Sequence, residues 1–248
     1  MFNDQSILLA LGAAVAVVLL AWLVVVPWLK RGPRGELVKG AIWRSLRIYC
    51  RLVHRVHFHG LNQFRNQMKS GPLVVVSNHT GAVDPLLLQA GARFHIRWMM
   101  ASEMMTPSLG WLWKRERIIP VARDGKDSAA AREAIRHVQA GGAIGIFPEG
   151  RIVRPPREIR PFHPGVGLII AKTRAPVLLA WVSGTPDTDV MSKSLLTPSH
   201  AKVEFIEVID FKGERDPQCI TQHLRTRLAQ VSGWPINDQP VPPSEDRE

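Results

Sequence analysis

The residues best suited to chemistry are His79 and Asp84, which follow a short apolar run at residues 73–76. Histidine titrates near neutral pH, and a neighbouring carboxylate can fix its tautomer and stabilise the imidazolium that forms when the ring takes up a proton. The pair therefore suits removal of a proton from a hydroxyl group. Residues five apart diverge by about 140° on a helix, so the two side chains need a turn, which Gly81 and the Asp84-Pro85 step allow.

A second interpretation of Asp84 stays open at this point. Asp at an N-cap, followed by Pro85 at the first helical position, is a common helix start, so Asp84 could simply cap a helix over residues 85–89. His79 could likewise have a structural role.

Another charged segment, residues 147–151 with the sequence Phe-Pro-Glu-Gly-Arg, also comes directly after an apolar run, at residues 143–146. Short runs of Val, Ile and Leu bounded by Gly, Pro or polar residues are typical of buried strands. His79 and the 147–151 segment are therefore predicted to follow the carboxyl ends of strands. Active sites of open α/β sheets gather at those ends.

Four motifs in this order resemble the glycerophospholipid acyltransferase family, whose members include 1-acylglycerol-3-phosphate acyltransferases. They are Asn78-His79 with Asp84, the block at residues 118–123, residues 147–150, and the block at residues 175–179. The resemblance covers about residues 72–183. It implies that His79 is the general base that activates the acceptor hydroxyl, that Asp84 orients it, and that the hydroxyl then attacks an acyl thioester.

The same resemblance implies a set of substrate-binding residues, most of them around the phosphate of the acceptor. These residues are Asn78, Arg123, Glu149, Gly150 and Arg151. A guanidinium is well shaped to bind phosphate oxygens through paired hydrogen bonds. Many family members have Thr-Arg after Glu-Gly, whereas this chain has Arg151 and Ile152. That version also resembles enzymes that acylate lysophosphatidylethanolamine, so the acceptor head group stays open.

Residues 6–29 contain no charged side chain and are long enough to cross a bilayer. A signal peptide would have a basic start and a shorter apolar core, so a membrane anchor is favoured. Lys30, Arg31 and Arg34 follow the span, and only Asp4 precedes it, which predicts a cytoplasmic catalytic domain on a single-pass protein of the cell inner membrane. Acyl-CoA and acyl carrier protein would both be available there.

The composition agrees with an enzyme that works at a membrane surface. The 32 Lys and Arg against 21 Asp and Glu give a net charge of +11, which favours an anionic partner such as membrane lipid. Nucleic acid is disfavoured, because the chain has one Tyr, no zinc-ligand spacing and basic residues that are spread along it. We expect no metal and no cofactor other than the acyl-CoA or acyl carrier protein co-substrate. Cys50 and Cys219 match no redox motif.

The predicted fold class is α/β, a single domain with a mixed, mostly parallel sheet flanked by helices and preceded by an N-terminal transmembrane helix. Further strands are predicted at 95–100, 118–121, 177–183 and 202–209, with helices at 128–140 and 218–230. The predicted segments are a membrane anchor at 1–33, a basic amphipathic lead-in at 34–70, an acyltransferase domain at 71–232 and a flexible tail at 233–248. The lead-in helix suits either the lipid headgroup region or packing on the domain.

The sequence thus predicts a membrane-bound acyltransferase that moves a fatty acyl chain from acyl-CoA or acyl carrier protein to a lysophospholipid hydroxyl. The favoured reaction converts 1-acylglycerol-3-phosphate to phosphatidic acid. Two alternatives remain: an acyltransferase for another lysolipid, such as lysophosphatidylethanolamine or an aminoacyl lipid, and a noncatalytic lipid-binding protein of the membrane.

Overall fold

A computed structural model describes residues 4–30, 36–60, 63–64, 71–122, 128–153, 157–188 and 190–239. The chain divides into two compact units, Met1–Leu46 and Arg47–Glu248. The first unit contains helix α1 (Asp4–Lys30) and the beginning of helix α2 (Leu37–Leu52). Within α1, the segment Leu11–Lys30 has a mean hydropathy of 2.4, and by length and composition it could cross a membrane.

The second unit is built on a seven-stranded sheet, as far as the described residues show. Its strands are β1 (His57–His59), β2 (Leu73–Ser77), β3 (Ile96–Ala101), β4 (Ile119–Val121), β5 (Ala143–Ile146), β6 (Val177–Ser183) and β7 (Lys202–Ile209). They lie in the order β1-β7-β6-β2-β5-β3-β4. Every neighbouring pair is parallel except β6 and β7, which are antiparallel. The predicted mixed, mostly parallel sheet is confirmed.

Helices cover the sheet and bury its central strands. They are α3 (Asp84–Gly91), α4 (Gly110–Glu116), α5 (Ser128–Gln139), α6 (Gly165–Thr173), α7 (Met191–Leu196) and α8 (Pro217–Ser232), with short 3-10 turns at Ser102–Met104 and Pro107–Leu109. All five residues of β2 are buried, as expected for a parallel strand with helices on both faces. The predicted strands and the two longer predicted helices agree with the structure to within two residues at each end. Helices α4, α6 and α7 were not predicted.

Both ends of the predicted catalytic domain extend further than the sequence indicates. Strand β1 lies in the predicted lead-in, yet it pairs with β7 and is part of the sheet. At the other end, Trp234 packs edge-on against Trp181, with 4.7 Å between ring centroids, and Asn237 donates its backbone N–H to the carbonyl oxygen of Ile159. The first part of the predicted flexible tail, residues 234–239, therefore lies against the domain, while residues 240–248 are outside the described part.

Candidate active site

The candidate site lies at the carboxyl ends of β2 and β5. These strands are neighbours in the sheet and run parallel, with Val76 opposite Ile146. Because the two strands end side by side and point in the same direction, the loop after β2 and the loop after β5 meet. His79 lies in the first loop and Glu149 in the second, 70 residues apart in sequence.

His79 and Asp84 form a hydrogen-bonded pair. The imidazole Nδ1 lies 2.9 Å from Oδ2 of Asp84, and the same Oδ2 accepts backbone N–H groups of Thr80 at 2.7 Å and Gly81 at 2.9 Å. Helix α3 begins at Asp84, and its N-cap residue Val83 makes no side-chain cap. The Asp84 carboxylate thus turns back towards the loop and His79, and the interpretation of Asp84 as a simple helix cap is wrong.

This pairing leaves the other ring nitrogen of His79 available. With N–H on Nδ1 donating to the carboxylate, Nε2 keeps its lone pair. The Asp84 side chain is fully buried, whereas 18% of the His79 side chain is exposed. The structure gives His79 Nε2 no partner among the residues that it describes. An imidazole held in this way can accept a proton from a bound hydroxyl.

An aromatic stack holds the plane of the His79 ring. The imidazole lies on Phe147, with 4.2 Å between centroids and 14° between planes, and Phe147 lies in turn on Trp98 at 5.1 Å and 9°. Gly145 makes room for Trp98, because a Cβ at that position would come within 2.3 Å of the indole ring. We did not predict this stack. The available signal was an aromatic residue directly after β5, together with a glycine inside a buried strand.

Glu149 contacts the backbone of the loop that contains His79. Its Oε2 accepts the backbone N–H of His79 at 3.2 Å, and the residue is 3% exposed. Burial raises the pKa of the Glu149 carboxyl to about 8, and the nearby charge of Asp84 acts in the same direction, against the backbone N–H groups of His79 and Arg160 and the charge of Arg225. Glu149 is therefore predominantly protonated at pH 7.

Asn78 does not present its side chain to a substrate. It is 1% exposed, its Nδ2 donates to the carbonyl oxygen of Val182 at 2.8 Å, and its Oδ1 accepts the Val182 backbone N–H at 2.8 Å. The amide thus continues the pairing of β2 with β6 beyond the end of the strand. This geometry contradicts the predicted substrate contact and gives Asn78 a positioning role for the adjacent His79.

The segment after Glu149 follows the same loop. Gly150 has φ 71° and faces the ring of His163, and a Cβ there would lie 2.6 Å from the imidazole Nε2. Val153 donates its backbone N–H to the carbonyl oxygen of His79 at 3.1 Å. Arg151 lies between these two contacts, is half-buried, and makes no side-chain hydrogen bond or ion pair with the described part of the chain. Its guanidinium is available for an anion.

Arg123 lies outside the described residues, so its predicted phosphate contact stays a prediction. His163, which is exposed, was not predicted. The closeness of the His163 ring to Gly150 depends on the left-handed conformation of Gly150. In the sequence, the Phe-Pro-Glu-Gly motif was the only sign of this turn.

The arrangement of His79 and Asp84 suits acid–base chemistry. Within the described residues there is no group of three or more His, Cys, Asp or Glu that could hold a metal ion. Burial raises the pKa of the Cys50 thiol to about 12, so this cysteine is a thiol rather than a nucleophilic thiolate at neutral pH. His79, backed by Asp84, is the group at this site with a suitable free nitrogen.

A family model with the description Acyltransferase matches residues 55–183 of this chain. This chain belongs to the acyltransferase family. The matched range includes β1, the His79 and Asp84 pair and the segment around Glu149. Membership implies an acyl-donor substrate and a lipid substrate.

The acyltransferase is similar to two characterised proteins over most of its length. N-acylphosphatidylethanolamine synthase of Arabidopsis thaliana is 23% identical over 82% of this chain and 81% of the plant protein. The crystal structure of the 1-acyl-sn-glycerophosphate (LPA) acyltransferase PlsC from Thermotoga maritima matches with a TM-score of 0.64 and 19% identity, over 80% of this chain and 82% of that chain. The predicted resemblance to glycerophospholipid acyltransferases is confirmed, and at this identity the structural match establishes the fold.

Proposed function

We propose that this acyltransferase moves a fatty acyl chain from acyl-CoA or acyl carrier protein to the hydroxyl of a lysophospholipid, with 1-acylglycerol-3-phosphate as the favoured acceptor. The main support is the 2.9 Å contact of His79 Nδ1 with Asp84, which leaves Nε2 to act as the base on a partly exposed side chain. No cofactor beyond the acyl donor is needed for this chemistry.

The reaction proceeds through one addition and one elimination. The acceptor hydroxyl donates to Nε2 of His79, and its oxygen attacks the thioester carbonyl while the proton passes to the imidazole. The tetrahedral intermediate then collapses, the carbon–sulfur bond breaks, and the imidazolium returns its proton to the leaving thiolate. Asp84 stabilises the imidazolium between these steps, and the Phe147 ring keeps it in one plane.

Arg151 and Arg123 would bind the acceptor phosphate. Arg151 is suited to this role because the segment that contains it contacts His79 through Glu149 and Val153, so the guanidinium belongs to the same loop cluster as the base. A guanidinium that can reach a phosphate would fix the acceptor and direct its hydroxyl to Nε2.

A second candidate is transfer to an ethanolamine phospholipid. The name of the plant relative, N-acylphosphatidylethanolamine synthase, and the Arg151-Ile152 sequence both favour this acceptor class. Here the acceptor group would be the amine of phosphatidylethanolamine or the glycerol hydroxyl of lysophosphatidylethanolamine. Transfer to the amine forms an amide, whereas transfer to a lysolipid hydroxyl, as in the first candidate, forms an ester.

We also propose that α1 anchors the enzyme in the cell inner membrane with residues 47–239 on the cytoplasmic side. Lys30, Arg31 and Arg34 follow the apolar helix, and only Asp4 precedes it, which favours this orientation. A carboxyl-terminal reporter that fluoresces only in the cytoplasm should be bright. A periplasmic reporter that is active at the same position would overturn the orientation.

The deciding experiment is acyl transfer by detergent-purified full-length protein with labelled acyl-CoA and labelled acyl carrier protein. The acceptors are lysophosphatidic acid, lysophosphatidylethanolamine and diacyl phosphatidylethanolamine, and the product bond is identified by its resistance to mild alkali. We expect ester formation with lysophosphatidic acid.

The matched variants are His79→Ala, which removes the base, and His223→Ala, which removes an exposed histidine from α8. General-base loss should lower transfer by about 100- to 10,000-fold, whereas the α8 variant should retain full activity. Transfer that survives in His79→Ala would refute the base assignment. If no donor and acceptor pair reacts while the folded protein still binds lysolipid, a noncatalytic lipid-binding function would replace this proposal.

A further inference from the structure

An open groove lies at the edge of the sheet, beside β1. It has a volume of about 580 Å³ and is lined by Arg47, Arg51, Arg55, Val56, His57 and Phe58. In the sheet, β7 and β6 separate β1 from β2, the strand that leads to His79. Neighbouring strands are about 4.8 Å apart, so β1 is about 14 Å from β2. None of the groove residues belongs to the candidate active site.

The fold itself places the three guanidinium groups together. Arg47 and Arg51 are one turn apart on α2 and share a face of that helix. Arg55 has φ 42°, a left-handed conformation that turns the chain from α2 towards β1, and its Nη1 lies 2.9 Å from the His200 imidazole Nε2. The Arg47 guanidinium lies 5.5 Å from the centroid of the Phe58 ring. All of the groove residues belong to the second unit.

A hydrogen-bond network beneath the groove holds the turn after α2. Buried His54 has its Nδ1 2.9 Å from the Ser199 hydroxyl and its Nε2 3.0 Å from the Tyr49 hydroxyl, which donates to the carbonyl oxygen of Leu195 at 2.6 Å. These contacts join the end of α2 to residues 195–199. They fix the backbone from which Arg51 and Arg55 extend.

The groove has the charge of an anion site. Its lining consists of three arginines, one histidine and two apolar residues, and no carboxylate is among them. Lys202 lies opposite His57 in the register of β1 and β7, although it also pairs with Glu204 at 3.0 Å. Several guanidinium groups that line one groove suit the oxygens of a phosphate mono- or diester.

Two exposed apolar residues beside the groove indicate that its phosphate ligand belongs to a lipid. Ile48 and Leu52 are one turn apart on α2 and are 55% and 74% exposed, and each follows a groove arginine, Arg47 or Arg51, in the sequence. An apolar stripe bordered by arginines is typical of a helix at a bilayer surface, whereas a soluble cofactor or an acidic protein would not require it. The chain before α2 also contains α1, which could span a bilayer and would keep the groove near lipid.

We propose that the groove formed by Arg47, Arg51 and Arg55 binds the phosphodiester headgroup of an anionic phospholipid, with Ile48 and Leu52 against its acyl chains. This site is separate from the acceptor site and does not depend on which lysolipid is acylated. It gives the enzyme a preference for anionic membrane surface.

The test uses dioctanoyl phosphatidylmethanol, an anionic phosphodiester lipid with no free hydroxyl or amine, so it cannot serve as an acceptor. Binding to the full-length protein in a neutral detergent is measured by calorimetry without an acyl donor. Dioctanoyl phosphatidylcholine, inorganic phosphate and acyl carrier protein are measured in parallel. The variants are Arg47→Gln with Arg51→Gln, and the control Lys212→Gln with Arg215→Gln, which removes the same charge from the exposed loop between β7 and α8.

A membrane-surface arginine contributes about 5-fold to the binding of anionic lipid, so the groove variant should bind phosphatidylmethanol roughly 30-fold more weakly. The control should bind like the wild type, and phosphatidylcholine should bind weakly to all three proteins. Equal losses in both variants, equal binding of the two lipids, or binding of inorganic phosphate as tight as that of the anionic lipid would each overturn the proposal. The proposal would also be overturned if the wild type binds acyl carrier protein and the groove variant does not.

The groove variant must also be shown to fold. Its unfolding temperature should match that of the control, and acyl transfer to a dispersed short-chain lysolipid in neutral detergent should be unchanged, because the groove is remote from His79. A variant that fails to fold is replaced by Arg47→Lys with Arg51→Lys. That pair keeps the charge but loses the paired guanidinium geometry, and wild-type affinity for phosphatidylmethanol in it would refute recognition by the guanidinium groups.

Discussion

The substitution Glu149→Gln is predicted to stabilise the enzyme at alkaline pH. The Glu149 carboxyl is 3% exposed and accepts the backbone N–H of His79, and burial raises its pKa to about 8 from an ordinary value of 4.5. Gln has nearly the same shape and keeps an oxygen that can accept that N–H. The change therefore removes the ionisation and retains the contact.

The sign of the change in folding stability with pH follows from the protonation of Glu149 in the folded and unfolded states. Between pH 4.5 and 8 the folded protein keeps the proton on Glu149 while the unfolded chain has released it. Stability is thus greatest below pH 4.5, falls as the pH rises towards 8 and levels off above it. At about 1.4 kcal/mol per pH unit, the wild type loses about 3 kcal/mol between pH 6 and pH 9 through this one group.

The assay is the unfolding temperature of wild type and Glu149→Gln in the same detergent at several pH values from 5 to 9. For a domain of this size 1 kcal/mol corresponds to roughly 2–4 °C, so the wild type should fall behind the variant by roughly 6–12 °C between pH 6 and pH 9. The difference between the two proteins cancels the titration of all other groups. Parallel curves would show that Glu149 is not held protonated and would refute the reasoning.

Three other substitutions test the geometry around His79. Asp84→Asn keeps an oxygen for the loop N–H groups and the imidazole Nδ1–H but loses the negative charge that stabilises the imidazolium, so kcat of the folded variant should fall by about 100- to 10,000-fold; near-normal kcat would contradict the pair. Phe147→Leu removes a ring stack worth about 0.5–1.5 kcal/mol, so kcat should fall roughly 2- to 10-fold with KM unchanged, and Phe147→Tyr should restore it. Gly145→Ala places a Cβ within 2.3 Å of Trp98 and should destabilise the protein by about 1–3 kcal/mol; urea unfolding should show the effect relieved by adding Trp98→Leu, and no relief would refute the clash.

The predicted strands agree with the structure because their apolar runs leave few alternatives. Residues 73–76 and 143–146 are short runs of mainly aliphatic residues, and each directly follows a proline or a glycine, a pattern typical of buried parallel strands. Helix α6 was not predicted, and its Gly165 and Gly167 weaken the helical pattern of the segment. The structure shows why Gly167 is there, since a Cβ at that position would lie 1.9 Å from the carbonyl oxygen of Pro217, where α8 crosses α6. A packing requirement between two helices that are distant in sequence cannot be recognised from the sequence alone.

The site was predicted to the extent that its chemistry lies in side-chain type and spacing. His79 with Asp84 could be recognised in this way, and the structure brings the two together. Asn78 could not, because its role depends on Val182, which is 104 residues away and reaches it only through the pairing of β2 with β6. The stack of Phe147 on His79 is equally non-local, since it requires the register of β5 against β2.

The topology explains why the motifs must occur at their large separations. Strand β2 has β6 on one side and β5 on the other, and both run parallel to it. Parallel neighbours need a crossover of about a dozen residues or more, usually a helix, so two motifs at the carboxyl ends of such strands cannot be adjacent in sequence. Strand β5 brings the Phe147 ring and the Glu149 carboxyl next to His79. Strand β6 brings the backbone of Val182, which hydrogen-bonds to Asn78. A shift of one residue in the β2 and β5 register would turn Phe147 to the other face of the sheet and remove it from the imidazole. The base is therefore specified as much by strand register as by the histidine itself.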